Sequence, residues 1–476
     1  MEIVKNKLKN LNLKSLKPKD WIYIIAWVCI IINSILFFVL DLTNFYLLNS
    51  DKLSVIVMIF LYSLITMLPI ILVYKSKITK DIKIIAIITL VATAVFRIMF
   101  ADYKSGDYIV YLEGWLNHYR NLSVADGLKY AVGNYSPPYN YFLQLFAKLP
   151  IFDLYMIKVV SYLFEVLTAI YLVKLIAKIK GTENNFAWLG IILAIPMFFI
   201  DSSAWAQCDS IYTFFLILGV YLSLNRKSPQ AFICFGISLA FKLQAVFLFP
   251  AVLVLLLSKN NEGKTFLKWR DIWLTPLAFI LLTIWPMFFG RSFSDTFLIY
   301  LKQSQESLFY CGAMSFWIFF QWANNDYSNI ATAVALIITL IVLVVVLYKC
   351  LKKVNIRSLS NNDVVLICMM ITFIVVMFLP KMHERYFYIT NLFMIVYMIC
   401  NKDNKNILLF GAMSFLSSHM KYTSFNRIFS EIVYTQIHYA SAVINTISFI
   451  YFMVYFVKYM KVLNDDKNTD LLNINQ

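Results

Sequence analysis

Long uncharged apolar runs recur along this chain, and they constrain its fold more than any other feature. The first, Trp21–Leu40, has about 20 residues, the length of helix that spans the roughly 30 Å hydrocarbon core of a bilayer. Apolar residues make up 61% of the sequence and charged residues 14%. Globular domains have about 45–50% and about 25%. We therefore predict an all-α polytopic membrane protein.

The remaining apolar runs predict about 14 membrane-crossing pieces in total. They lie near 53–74, 82–101, 156–178, 186–201, 208–224, 229–257, 271–289, 328–348, 364–380, 386–400, 406–420 and 437–457. The run 229–257 is too long for one span and contains the polar interruption Phe241–Gln244. We expect two half-length helices there, meeting at a polar elbow.

The basic residues predict the orientation of the chain. Lys and Arg number 42 against 26 Asp and Glu, and they gather in short loops, which stay cytoplasmic when they carry positive charge. The segments assigned to the cytoplasm are 1–20, 75–83, 174–180, 226–227, 259–270, 349–357, 402–405 and the polar tail 463–476. We predict one membrane-embedded domain, 1–462, in the plasma membrane, with both termini cytoplasmic. Lipid is then a partner, and nucleic acid is not, because no single polar face carries the charge.

Two long segments, 102–155 and 290–327, fall on the predicted outer face, where loops of this length usually have a function. In the first, apolar and aromatic residues recur at helical spacing. They are Tyr108, Tyr111, Leu112, Trp115 and Leu116. This pattern predicts an amphipathic helix on the membrane surface, with its aromatic rings at headgroup level.

The head of that helix carries the first group of polar residues, Ser105–Tyr108, followed by Asn134–Tyr139. A carboxylate in the first turn of a helix is stabilised by backbone N–H groups, so Asp107 has two interpretations. It is either a helix cap or a group that takes part in chemistry.

Two further groups follow. The polar insertion Asp201–Asp209 has two carboxylates that are compatible with a divalent metal, with an acceptor hydroxyl, or with capping of the next helix. Lys242 and Gln244 lie at the predicted elbow, where a buried ammonium is costly and normally paired or used. The alternative is a lysine that extends to the membrane interface.

The fourth group is the short turn Pro380–Tyr386, which combines two cations, an imidazole and a carboxylate. This composition is expected of a phosphate-binding site, whereas a simple anchoring turn would more often pair Lys or Arg with aromatic residues alone. The seven cysteines form no CxxC pair, and no zinc-ligand spacing, phosphate-binding loop or Ser-His-Asp set is legible. We predict no metal ligands and no fixed cofactor, and the sequence leaves a divalent metal open.

Taken in order, four motifs resemble the GT-C superfamily of integral-membrane glycosyltransferases over about residues 80 to 400. They are Asp107-Tyr108 with Asn134–Tyr139, Trp205–Ser210, Phe241–Gln244 and Met382–Tyr386. Within the superfamily the chain is most similar to bacterial mannosyltransferase-like proteins related to the eukaryotic glucosyltransferases that extend lipid-linked oligosaccharides. It departs from them at Ala206, where glycine is expected, and at Glu165, where aspartate is expected.

The resemblance implies a GT-C-type helix bundle with long outer loops. It also implies transfer of a hexose, with inversion, from a polyprenyl-phosphate donor to an extracytoplasmic hydroxyl of a lipid-linked glycan or cell-surface polymer. Asp107 is then the base, and the His383–Arg385 turn binds the donor phosphate. The expected phosphate-binding residues are Arg385, His383, Lys242 and Lys381, and the expected acceptor or supporting residues are Asp209, Gln207, Trp205, Gln244, Glu384, Tyr108 and Tyr135.

Two other functions stay open at this stage. A transporter or flippase of lipid-linked sugars would also have broken helices and buried lysines. A polysaccharide polymerase would also face outward, with its long outer loop late in the chain, whereas the longest loop here is early.

Overall fold

The computed structural model describes residues 51–303, 308–354, 358–421 and 431–474. The first predicted span, Trp21–Leu40, and the basic segment 1–20 lie outside these ranges. Within them the chain is built of helices and turns, and its only β-type pairing is two isolated bridges. The all-α prediction is confirmed.

The α-helices are numbered in chain order. They are α1 (Lys52–Lys75), α2 (Lys80–Met99), α3 (Glu113–Asn121), α4 (Val124–Lys129), α5 (Pro137–Lys148), α6 (Asp153–Lys180), α7 (Trp188–Leu193), α8 (Pro196–Phe199), α9 (Asp209–Leu224), α10 (Ser228–Phe241), α11 (Phe249–Leu257), α12 (Leu274–Thr283), α13 (Phe293–Phe297), α14 (Ile299–Gln303), α15 (Ser328–Val354), α16 (Asn361–Phe378), α17 (Phe387–Cys400), α18 (Lys405–Ser418) and α19 (Glu431–Ile474). Two π-helical turns, Tyr108–Leu112 and Ile200–Ala204, and 3₁₀ turns at Leu243–Leu248, Trp269–Asp271, Trp285–Phe289, Phe316–Asn324 and Glu384–Tyr386 connect them.

In the part of the chain that the structure describes, seven helices are long and apolar enough to cross a membrane. They are α1, α2, α6, the segment Trp269–Phe289, Ser328–Leu351 of α15, α16, and Glu431–Met460 of α19. On α15, large apolar side chains such as Ile330 and Leu340 are more than 60% exposed, which suits lipid rather than water. The chain is a polytopic membrane protein, and its orientation stays a prediction.

Helices α6, α16 and α17 form the centre of the bundle. On α16 nearly every side chain is buried, from Val364 to Met377, so this helix is enclosed by other helices. A capping box fixes its start, because Ser360 accepts from the Asp363 N–H and Asp363 accepts from the Ser360 N–H. The site described below lies at the end of this core where α6 begins and α16 ends.

The predicted outer segment 102–155 is folded rather than an open loop. The helix predicted from Tyr108 is present, as a π-helical turn that continues into α3. Its buried face consists of Tyr108, Leu112, Leu116 and Tyr119, which pack on α5. This face therefore packs on protein, whereas Ile109, Val110 and Tyr111 of the same turn are exposed, and the placement of the helix at the membrane surface stays a prediction.

The predicted break at Lys242 is confirmed. Helix α10 ends at Phe241, Lys242 is extended (φ −153°, ψ 137°), and a 3₁₀ turn leads into α11. An extended residue between two helices frees backbone groups, and the Lys242 N–H is satisfied by the carbonyl of Ser238 at 3.1 Å. The break places the lysine side chain against the start of α9.

Candidate active site

Asp107 and Arg385 are in direct contact. Nη1 of Arg385 donates to Oδ2 of Asp107 at 2.5 Å, and Nε2 of Gln207 donates to the same oxygen at 2.9 Å. No described residue donates to the other carboxylate oxygen, and the Asp107 side chain is 28% exposed. Three of the four sequence motifs thus meet at one carboxylate, which keeps one oxygen open.

The helix-cap interpretation of Asp107 is wrong. Its side chain makes no capping hydrogen bond, and its backbone is already helical (φ −64°, ψ −35°). Ser105 acts as the cap instead, because its hydroxyl accepts from the Tyr108 N–H at 3.2 Å. The same hydroxyl donates to the carbonyl of Trp205 at 2.9 Å, which ties the start of this helix to the second motif.

The turn that carries Gln207 is held by its backbone. The Gln207 N–H donates to the Asp201 carbonyl at 2.9 Å, and the Gln207 carbonyl accepts from the Ser161 hydroxyl of α6 at 2.8 Å. Ala206 has a φ of 56°, in the left-handed region that favours glycine, which agrees with the glycine that the resemblance led us to expect. Trp205 is 1% exposed and packs within the bundle rather than into the site.

Lys242 and Asp209 form a second, fully buried ion pair. The ammonium donates to both oxygens of Asp209 at 2.8 Å, and the two side chains are 3% and 0% exposed. The rings of Tyr135, Tyr212 and Tyr386 surround the ammonium, with centroids 5.7–5.8 Å away. Lys242 is therefore paired rather than extended to the interface, and Asp209 binds this lysine rather than capping α9.

Tyr135 connects the two ion pairs. Its hydroxyl donates to Oε1 of Gln207 at 3.5 Å, and its ring faces Lys242. Burial raises the pKa of Tyr135 well above its ordinary value, so the hydroxyl keeps its proton. Asn140 of α5 donates to the Tyr135 carbonyl at 3.3 Å, and the Pro137-Pro138 pair starts α5 two residues after Tyr135.

The fourth motif is a tight turn held by the second outer segment. The Lys381 N–H donates to the Phe309 carbonyl at 2.8 Å, and the Met382 carbonyl accepts from the Ala313 N–H at 3.0 Å. Lys381 itself is half-buried and adopts a left-handed φ of 63°. The second outer segment therefore fixes the start of the turn that presents Arg385.

The two titratable neighbours of Arg385 are both shifted toward their neutral forms. Burial, followed by the positive charges of Arg385, Lys242 and Lys421, lowers the pKa of His383 well below its ordinary value. Burial also raises the pKa of Glu384, which is 4% exposed, although the same Arg385 and Lys421 charges oppose the shift. His383 is thus a neutral hydrogen-bonding group near pH 7 rather than a third cation.

Two further predicted site residues, Tyr108 and Gln244, form no side-chain hydrogen bond to either ion pair within the described residues. The Tyr108 hydroxyl donates to Asp153 at 3.1 Å, and Arg120 also binds that carboxylate. Gln244 is buried, and its Oε1 has no hydrogen-bond partner among the described residues. Glu165, the second departure from the expected pattern, forms a buried ion pair with Arg97 of α2 at 3.1 Å, deeper in the bundle.

Three residues that the sequence analysis did not assign to the site belong to it. Tyr386 and Tyr212 line the Lys242 ammonium, and Ser161 holds the Gln207 turn. The spacing Asp209 to Tyr212 is one helical turn and places both on one face of α9, which was a usable signal. No sequence signal pointed to Ser161, because it lies in the middle of an apolar run.

Within the described ranges, no group of three or more His, Cys, Asp and Glu side chains is arranged to hold a metal ion. No protein-family model matches this chain, and no curated protein sequence matches it.

Proposed function

We propose that the protein is an integral-membrane glycosyltransferase that moves a hexose from a polyprenyl-phosphate donor to a hydroxyl of an extracytoplasmic lipid-linked glycan or cell-surface polymer. The observation that carries the proposal is the 2.5 Å contact between Asp107 and Arg385. A carboxylate that accepts a proton and a guanidinium that binds a phosphate are the two groups such a transfer requires.

In the proposed reaction the acceptor oxygen attacks the anomeric carbon of the donor sugar, and the hydroxyl proton passes to the open oxygen of Asp107. The bond between the anomeric carbon and the phosphate oxygen breaks, and its electron pair leaves with the phosphate. A single in-line displacement of this kind inverts the configuration of the sugar. No general acid is needed, because the leaving group departs as a phosphate monoester.

Arg385 has the role of stabilising the charge that develops on that phosphate. The neutral His383 would donate a hydrogen bond to it, and Lys381 lies on the same turn. Lys242 donates to both oxygens of Asp209, so we do not assign it direct contact with the phosphate. Its role is to support Tyr386, whose ring it faces, and Tyr386 in turn supports Arg385.

The proposal is tested by incubating the purified protein, in detergent, with a panel of polyprenyl-phosphate hexoses and with glycolipid and wall-polymer extracts as acceptors. Release of polyprenyl monophosphate from at least one donor is expected. Asp107→Asn should reduce that release at least about 100-fold, the low end of general base catalysis. No release with any donor would argue for transport of lipid-linked sugars instead.

Asp126→Asn is the matched control for this assay. Asp126 is an exposed carboxylate at the start of α4. Among the described residues its side chain is bound only by Ser123 in its own turn, and the substitution makes the same change of charge. Its turnover should stay close to that of the wild type. An equal loss in both variants would remove Asp107 from the role of base.

A further inference from the structure

The two ion pairs of the site differ in how readily they can exchange partners. Lys242 and Asp209 are almost fully buried, and both carboxylate oxygens are used. Asp107 and Arg385 are 28% and 13% exposed, and they share a single hydrogen bond. Of these two cations, Arg385 is therefore the one that an incoming anion can reach.

Arg385 is also incompletely satisfied. Its Nε is buried and has no hydrogen-bond partner within the described residues. A guanidinium binds phosphate best through two parallel N–H groups, and one N–H is at present used by Asp107. Both members of the pair are partly exposed to solvent, Asp107 more than Arg385.

On the basis of the function proposed above, we infer that Arg385 is shared between Asp107 and the donor phosphate, and that the phosphate takes it from Asp107. Before the donor binds, Oδ2 of Asp107 is occupied by Arg385 and Gln207. When the phosphate binds Arg385, the carboxylate loses its charge-assisted partner, and only the amide of Gln207 still donates to it. The base is thus released only in the presence of donor, which imposes an order of binding.

The exchange also returns the site to its starting state after each transfer. The phosphate gains negative charge as the sugar leaves, so Arg385 binds most tightly to the product, polyprenyl monophosphate. When polyprenyl monophosphate departs, Arg385 returns to Asp107. The pair between Asp107 and Arg385 is therefore re-formed whenever the phosphate position is empty.

The inference predicts competition between a side chain and a ligand, which a binding measurement can detect without turnover. The probe is a short-chain prenyl monophosphate, titrated against the full-length protein in detergent. Asp107→Asn removes the competing charge while keeping the shape of the side chain, so it should tighten binding of the probe by about tenfold. Asp107→Ala should also tighten it, which keeps the test valid if one of the two variants folds poorly.

Two controls isolate the pair. Asp126→Asn makes the same change of net charge away from the site and should leave the affinity within about twofold of the wild type. In an Arg385→Gln background, Asp107→Asn should no longer tighten binding, because the shared cation is gone. The corresponding prenol, which lacks the phosphate, should bind all variants equally.

Unchanged or weaker binding of the probe to Asp107→Asn would overturn the inference and would indicate that Arg385 holds carboxylate and phosphate together. Equal tightening in Asp126→Asn would also overturn it, as an effect of net charge. Both outcomes leave glycosyl transfer to be judged by turnover. Tightening without turnover on any donor would instead support the shared cation and contradict the proposed transferase.

Discussion

Lys242 donates to both carboxylate oxygens of Asp209 at 2.8 Å, and this buried pair joins the break between α10 and α11 to the start of α9. Removing one member of a buried pair leaves an uncompensated charge, which typically costs about 3–5 kcal/mol of stability. Replacing both members by apolar residues of similar volume is often neutral.

We therefore expect Lys242→Met to lower the thermal unfolding temperature strongly and Lys242→Met with Asp209→Leu to recover most of the loss. Thermal unfolding of the detergent-solubilised variants measures both effects. A single variant as stable as the wild type would mean that the pair contributes nothing to the fold.

Ser105, rather than Asp107, should determine how well the helix at Tyr108 is started. Ser105→Ala removes the cap and the bond to the Trp205 carbonyl, and we expect a loss of about 1–2 kcal/mol. Ser105→Thr keeps a hydroxyl and should recover most of it. Equal unfolding temperatures for the Ala and Thr variants would contradict this assignment.

Arg385 should matter most for use of the donor. Arg385→Ala is expected to lower kcat/KM for the donor by an order of magnitude or more, because charge-assisted hydrogen bonds contribute about 1.5–3 kcal/mol. Arg385→Lys should restore only part of this, since the planar fork is lost. Initial rates over a range of donor concentrations give the comparison, and unchanged kinetics in a folded Ala variant would place the phosphate elsewhere.

His383 should make the protein less stable in mild acid. Its pKa is lowered well below 6.5 in the folded state, by burial and then by Arg385, Lys242 and Lys421, so the unfolded chain takes up a proton that the folded chain does not. The free energy of unfolding then rises with pH up to the pKa of this histidine in the unfolded chain, and the contribution is lost as pH falls below about 6.5. When the pH is lowered from about 7.5 to about 5.5, the thermal unfolding temperature of the wild type should fall further than that of His383→Gln. Equal losses would show that this imidazole is not desolvated.

The predicted orientation can be tested by labelling with a membrane-impermeant thiol reagent in cells. In a chain without its natural cysteines, Ser123→Cys should react from outside and Glu262→Cys should not, because positive loops stay in the cytoplasm. Both positions are exposed, so access to the thiol is not limited by folding. Labelling of both from outside would overturn the orientation, and with it the extracytoplasmic placement of the site.

The sequence by itself was sufficient for the helical membrane fold, because the length and composition of an apolar run depend only on neighbouring residues. It was also sufficient for the break at Lys242, since a lysine and a glutamine inside a long apolar run are costly unless the helix is interrupted there. The helix at Tyr108 was likewise readable from its spacing.

The tertiary structure decided which face of that helix is buried and what each charged side chain contacts. From the sequence Asp107 was compatible with a cap, which its spacing favoured, and with chemistry. The structure shows that Ser105 is the cap and that Arg385, 278 residues away, binds the carboxylate. Asp209 and Lys242 each looked available for a ligand and are bound to each other. The local sequence shows which side chains are charged. The partner of each charged side chain depends on which helix ends lie together in the bundle, and packing over the whole chain determines that arrangement.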